Sequence, residues 1–347
     1  MIDAEVVVAT AALCVASAGF VAAGAAPHIP RRTHRSTDGD AEVRQILFRA
    51  IDEGDLDLAT VETLSGAQQR ALESQARALL PSLRGEDRDT LGRLLDRLGT
   101  VDAARRRAHS KRAVVRAEAG QFLGESGTPE AVSDLIQLLT DPDPKVRWSA
   151  ARGLGRLGDA RAVPVLLGSL EGDRAVPVDV VADAVFEIRD CPVTLLREGV
   201  HSPSVPSRAL TVELLGRFQA LAAADDVIEL LGHDPSVEVR ARAARALGRM
   251  GSPRATPALL SSVDHGPVAM RAQAVWALGE IGAPEAVPVL RATVMGPSRH
   301  MGELAADALV AMGPPGIDAL VEIAAGDGES AAGAARALAS QTRLQSA

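Results

Sequence analysis

Tyrosine is absent from this 347-residue chain, and aromatic side chains of all kinds make up only 2% of it. A surface that stacks nucleic-acid bases, or a large globular core built on rings, needs more of them. Positive charge is not in excess either. The formal net charge is −8, which disfavours general binding to phosphate backbones and makes a nucleic-acid partner unlikely on charge alone. Two cysteines, Cys14 and Cys191, cannot build a disulfide framework. No phosphate loop, nucleophile elbow or zinc-ligand spacing occurs. What fills the chain is alanine, leucine, valine and arginine, within a hydrophobic fraction of 47%. That composition suits closely packed helices.

The first 26 residues stand apart. Val6 to Ala26 reads VVVATAALCVASAGFVAAGAA without a charge, and as a helix it would span about 31 Å, enough for the hydrocarbon core of a bilayer. Pro27 ends it, and Arg31, Arg32 and Arg35 follow. A cleaved signal peptide needs a basic start, whereas this one carries Asp3 and Glu5. The expectation is therefore an uncleaved single transmembrane helix over 1–26, with the arginine flank and the rest of the chain in the cytoplasm. Cleavage near Ala25 remains the alternative. Residues 27–40 are short and polar, a linker.

Beyond the linker the chain repeats itself. VRAEAGQFLGESG from Val115 recurs as VRWSAARGLGRLG from Val146, VRARAARALGRMG from Val239 and MRAQAVWALGEIG from Met270, with a weaker copy, ELAADALVAMG, from Glu303. Alignment puts a core residue at Leu95, Leu123, Leu154, Val185, Leu215, Leu247, Leu278 and Leu309, in steps of 28 to 32 residues. A degraded copy, AAGAARALAS, closes the series near Leu338. Each unit predicts two helices. The first opens near proline (Pro129, Pro253, Pro284, Pro315), which costs no internal hydrogen bond in a first turn. The second ends at a glycine four residues after the core position: Gly99, Gly127, Gly158, Gly251, Gly282 and Gly313. A lone pair cannot bury its apolar stripe, so neighbours must stack.

These phrases resemble HEAT repeats, in particular the short bacterial kind also called PBS-lyase-like. The resemblance covers roughly 100 to 340 and implies an all-α fold, a right-handed α-solenoid of HEAT-type helix pairs. The expected organisation is a membrane anchor at 1–26, a linker at 27–40, a divergent helical cap at 41–100 and a solenoid at 101–347. Two copies depart from the pattern, with Val178 and Gly302 where arginine is expected, so irregular curvature is expected there.

Candidate chemistry is sparse. Arg116, Arg147, Arg208, Arg240 and Arg271 each precede the core position by seven residues. They would make a guanidinium ladder for anions, or pair with Asp141, Asp234 and carbonyls of neighbouring turns; the second is expected. His201, His233 and His265 step by 32 residues, but repeats offset by about 10 Å cannot share one metal ion. Iron-holding HEAT-like hydroxylases carry His-Glu pairs, and none occurs here. HEAT-like DNA glycosylases use a basic concave face with aromatics, whereas Trp148 and Trp276 are isolated. Bilin lyases share the repeat name, yet nothing local marks a chromophore pocket. The dense basic run is RRRAHSKRAVVR, with Arg105, Arg106, Arg107, Lys111, Arg112 and Arg116. It and the two tryptophans are the candidate contacts for a partner or for lipid.

The functional expectation is a membrane-tethered scaffold, not an enzyme and without a cofactor. Its partner would be a membrane-associated protein, such as an envelope-polysaccharide glycosyltransferase. The alternatives are an enzyme on a HEAT-like scaffold, a lyase or DNA glycosylase, and an exported binding solenoid.

Overall fold

The computed structural model describes residues 37–52, 58–188 and 191–345. All regular structure among them is helical. Four helices come first: α1 (Thr37–Asp52), α2 (Leu58–Thr63), α3 (Gly66–Leu79) and α4 (Glu86–Arg97). Eight pairs follow: α5 (Thr100–Ala108) with α6 (Ala113–Ser126), α7 (Ala131–Leu138) with α8 (Pro144–Leu157), α9 (Val163–Gly168) with α10 (Val178–Glu187), and α11 (Val193–Gly199) with α12 (Val205–Arg217). Then come α13 (Ala224–His233) with α14 (Val237–Met250), α15 (Thr256–His265) with α16 (Val268–Ile281), α17 (Val287–Val294) with α18 (Arg299–Ala311), and α19 (Pro314–Ala324) with α20 (Glu329–Gln345). Helix α1 starts inside the expected linker. Residues 1–36, which include the expected anchor, lie outside the described residues. Among the described residues no helix is long and apolar enough to cross a membrane. The single-pass, membrane-tethered placement read from the sequence thus has no support among the described residues.

Local chemistry starts and stops the helices where the repeat predicted. Ser65 and Gln68 form a reciprocal capping box before α3. Asp143 caps α8, its Oδ1 accepting from the Lys145 N–H at 2.8 Å. Pro253 and Pro284 open single 3₁₀ turns that lead into α15 and α17. Gly99, Gly127, Gly158, Gly251 and Gly282 take left-handed backbone at φ 61° to 74°. Gly313 also has positive φ, but with ψ −144° it begins α19 instead of closing α18. In the repeat of Leu215 the glycine position is occupied by Gln219, at φ 50°. A residue with a Cβ pays steric strain there, and its Nε2 donates to the Arg249 carbonyl of the next repeat at 3.3 Å.

All eight residues of the expected core column are fully buried. What stacks the repeats is closer contact still. Successive second helices touch along their lengths, while successive first helices meet at few points. The second helices thus form the tighter, inner row. Along it the glycine after each core residue faces the backbone of the next second helix. A Cβ on Gly124 would lie 2.2 Å from the Cα of Gly153, and one on Gly155, Gly216, Gly248 or Gly279 would lie 2.6 to 2.7 Å from the Cα of Ala184, Ala246, Ala277 or Ala308. The row loosens once. In α10 the corresponding residue is Phe186, too large for backbone contact; it stacks on Phe218 at a ring separation of 5.6 Å, and α10 and α12 meet over a short stretch. The expected irregularity at Val178 thus has its cause eight residues later. At Gly302 the inner row stays continuous, α18 packing along α16.

The arginine column fastens these layers. Arg116 on α6 donates Nε and Nη2 to Asp141 in the next repeat, at 2.7 and 2.8 Å, and Nη1 to the Ser110 carbonyl of its own turn. Arg208 on α12 repeats the arrangement with Asp234 and with the carbonyls of Ser202 and Pro203. Arg147 and Arg240 hold turn carbonyls, those of Asp141 and Pro142 and that of Asp234. Four of the five column arginines are thus structural, as expected; Arg271 makes no described hydrogen bond, and its Nε is buried without a partner. Asp141 and Asp234 also accept the backbone N–H two residues on, shaping the turn before the second helix. Burial opposes ionisation of Asp234, but hydrogen bonds from Arg208 and Ser236 and the charges of Arg208 and Arg240 outweigh it, so its carboxyl sits below the ordinary carboxylate range.

Three outcomes follow for thermal and denaturant unfolding. Gly248→Val forces α14 off α16 and lowers stability by about 1–3 kcal/mol, whereas Gln219→Gly removes strain and raises it by up to about 1 kcal/mol. Asp234→Ala strands the Arg208 guanidinium, whose side chain is 10% exposed, and costs about 3 kcal/mol. The equivalent change at Asp225, in an ion pair with both partners 74% exposed, costs little. Because the folded pKa of Asp234 is depressed, its stabilisation is complete above the ordinary carboxylate pKa and is lost as pH falls through the lower folded value. The acid limb of the stability curve is therefore shallower in Asp234→Ala, and an unchanged limb would contradict the clamp.

Candidate functional site

Side chains on the solvent side of the second helices line the inner face. Two open grooves interrupt it. The first, about 640 Å³, lies between α6 and α8 and is lined by Val114, Gln121, Lys145, Trp148, Arg152 and Arg156 among others. Trp148 and Val114 are exposed apolar side chains here. Arg156 is held by Glu125 at 2.7 Å, and the Ser149 hydroxyl donates to the Ala117 carbonyl, pinning α8 to α6. Arg152 has no described ion pair.

The second groove, about 720 Å³, crosses α12, α14 and α16. Arg242, Arg245 and Arg249 fall on one stripe of α14, three and four residues apart, and Arg217 projects from the end of α12. Arg217 and Arg242 share Glu213 at 2.8 and 2.6 Å, and Arg242 also reaches Glu238. Arg245 instead lies over the Trp276 ring, its guanidinium carbon 5.8 Å from the centroid. Arg249 is half-buried, without a described carboxylate partner. Burial, then the charges of Arg245 and Arg217, disfavour its protonated form against the weaker pull of Glu213, so its pKa falls below the usual guanidinium value. Arg245 and Arg249 thus have no carboxylate bonded to them among the described residues, on an acidic chain.

The residues expected from the sequence divide accordingly. Arg105 is tied to Asp134 at 2.7 Å and Arg107 to Glu118 at 2.7 Å, so the basic run is half neutralised. Arg106, Lys111 and Arg112 remain exposed beside α5 and α6. Trp148 lines the first groove, whereas Trp276, four second helices away, lies under Arg245 and does not itself line the second. Arg217, Arg245 and Arg249 were missed. The spacing Arg242, Arg245, Arg249 on a helix already identified could have exposed them, since it puts three cations on one stripe.

Paired helices stacked through a continuous core, with an open inner face, define an α-solenoid. The HEAT-repeat family matches residues 101–185, 193–270 and 263–339, and the chain belongs to that family. Phycocyanobilin lyase subunit alpha of Picosynechococcus sp. is 34% identical over 133 residues, 38% of this chain and 42% of that one. The protein of the same name from Pseudanabaena tenuis is 30% identical over 178 residues, 46% of this chain and 65% of that one. The chain thus matches less than two thirds of either relative's length. A crystal structure of a Kap121p mutant superposes with a TM-score of 0.53 at 12% identity, over 85% of this chain and 39% of that one, a likeness of fold alone.

Both named relatives are lyase subunits, and this overturns the expectation that the chain is not an enzyme. The inference from missing motifs failed for a physical reason. A solenoid offers chemistry one side chain per repeat, about 30 residues apart, so an assembled site leaves no short signature. Neither relative is named for a membrane or a glycosyltransferase, and that partner is not carried forward.

The uncompensated arginines predict a trade between stability and binding. Arg249→Met keeps the length of the side chain and removes repulsion from Arg245 and Arg217. It is expected to raise the unfolding free energy by on the order of 1 kcal/mol; a stability that falls would show Arg249 to be a structural cation.

Proposed function

We propose that the chain is a subunit of a lyase-type enzyme that works by holding a partner protein on its inner face. Similarity to two lyase alpha subunits supports the reaction class. The inner face supports the mode of action, because it carries exposed Trp148 and Val114 in one groove and unpaired Arg245 and Arg249 in the other. Enrichment of tryptophan and arginine marks protein interfaces. In this reading residues 41–100 cap the array, 101–347 form the working solenoid, and Arg106, Lys111 and Arg112 extend the contact past the first groove. The scaffold positions the reactants, and effective molarity is the larger part of its contribution.

The test is replacement. A reconstituted phycocyanobilin-attachment reaction lacking subunit alpha is supplied with the full chain, and pigment bound covalently to the acceptor protein is followed by its visible absorption on denaturing gels. Recovered attachment, reduced by Trp148→Ala in a variant with unchanged helicity, is the expected result. No recovery at saturating chain concentration would overturn the assignment to this lyase class.

A further inference from the structure

We infer that the groove across α12, α14 and α16 receives an extended acidic segment of a partner protein, with two carboxylates of that segment engaging Arg245 and Arg249. The inference deepens the partner-binding reading above and rests on it. The lining carries four arginines, Arg217, Arg242, Arg245 and Arg249, against two glutamates, Glu213 and Glu238. Both glutamates are already engaged by Arg217 and Arg242. Two positive charges are left over, and they belong to the two arginines that have no carboxylate.

Their geometry suits capture more than packing. Arg245 is exposed and rests on Trp276, so a carboxylate can approach its free edge while the ring keeps the guanidinium oriented. Arg249 is half-buried beside two like charges, which makes an incoming anion a relief of strain already present in the free protein. Beside the charges the lining carries small apolar side chains, Val237, Ala241 and Ala269. The groove stays open along its length and crosses three successive second helices. A small-molecule site encloses most of its ligand, and this one does not; an extended chain spans it. Nucleic acid fits less well, because the chain carries a net charge of −8 and Trp276 already has its face covered by Arg245.

Fluorescence anisotropy on the full chain tests this with a labelled decapeptide of alternating Glu and Leu, its Gln-for-Glu counterpart, and a ten-nucleotide oligothymidine. The Glu peptide is expected to bind, more weakly as salt rises, and the Gln peptide at least about tenfold more weakly. The double change Arg245→Glu with Arg249→Glu should weaken the Glu peptide about tenfold or more, and Arg245→Gln with Arg249→Gln by less, with helical circular dichroism retained in both. Arg70→Glu with Arg84→Glu, exposed in the cap and outside the groove, should change it less than about twofold. Equal affinity for the Glu and Gln peptides, indifference to the groove variants, or tighter binding of the oligonucleotide through the same arginines would each overturn the inference. Attachment and peptide binding are read separately, so recovered lyase activity would not rescue a groove that ignores the Glu peptide.

Discussion

Backbone contact between successive second helices governs this molecule. At Gly155, Gly216, Gly248 and Gly279 there is no room for a Cβ against the alanine opposite, so neighbouring helices approach as closely as their main chains allow. Glycine inside a helix costs up to about 1 kcal/mol relative to alanine, and dispersion along the contact must offset that cost at each junction. The gain is geometric. Because the inner row is closer-set than the outer row of first helices, the stack must curve, and the remaining faces of the second helices become one continuous inner surface. The junction of α10 with α12 shows the converse: where Phe186 stands in for glycine, the row opens and Phe186, still half exposed, stacks on Phe218 instead.

Arginine serves two ends in this chain, and only its surroundings separate them. Seven residues before the core position it points into the turns, where Arg116 and Arg208 find a carboxylate of the next repeat and carbonyls of their own. There the bidentate geometry satisfies the guanidinium and its burial is tolerable. On the inner stripe Arg245 and Arg249 find no carboxylate, and one of them is crowded by its own kind. A lysine in the turn would be a poorer clamp, since it lacks the planar fork that reaches both oxygens of Asp141 or Asp234.

Much of the fold was legible because it repeats. The column from Leu95 to Leu309 and five of the six expected glycine caps came from register, since the same burial is imposed on the same position every 31 residues or so; the turn role of the arginine column came with the resemblance to HEAT repeats. Exceptions were not legible for the same reason. Gln219 at a glycine position, Gly313 starting a helix instead of ending one, and Phe186 in the inner row are each single departures, and their effect depends on what stands opposite. The short helix α2 carries no repeat signal at all. The site was harder still: Arg245 and Arg249 look like any helix-surface arginines until Glu213 and Glu238 are seen to be occupied elsewhere.

That last point bears on how a repeat protein carries function. A change at a stacking position costs the close helix contact, as Phe186 shows, whereas positions on the inner stripe can vary without touching the stack. Leaving a charge uncompensated on that stripe costs the fold little, because Arg245 is exposed and Arg249 only half-buried. A partner that supplies the missing carboxylates would gain from each one, because the arginines are already oriented by Trp276 and by the rigid helix beneath them. The same array could then serve different partners by changing a few inner side chains while Gly248 and its counterparts hold the curve unchanged. Resemblance in the stack therefore reports the family, and under the proposed reading the charges left open on the inner face set what a given member binds.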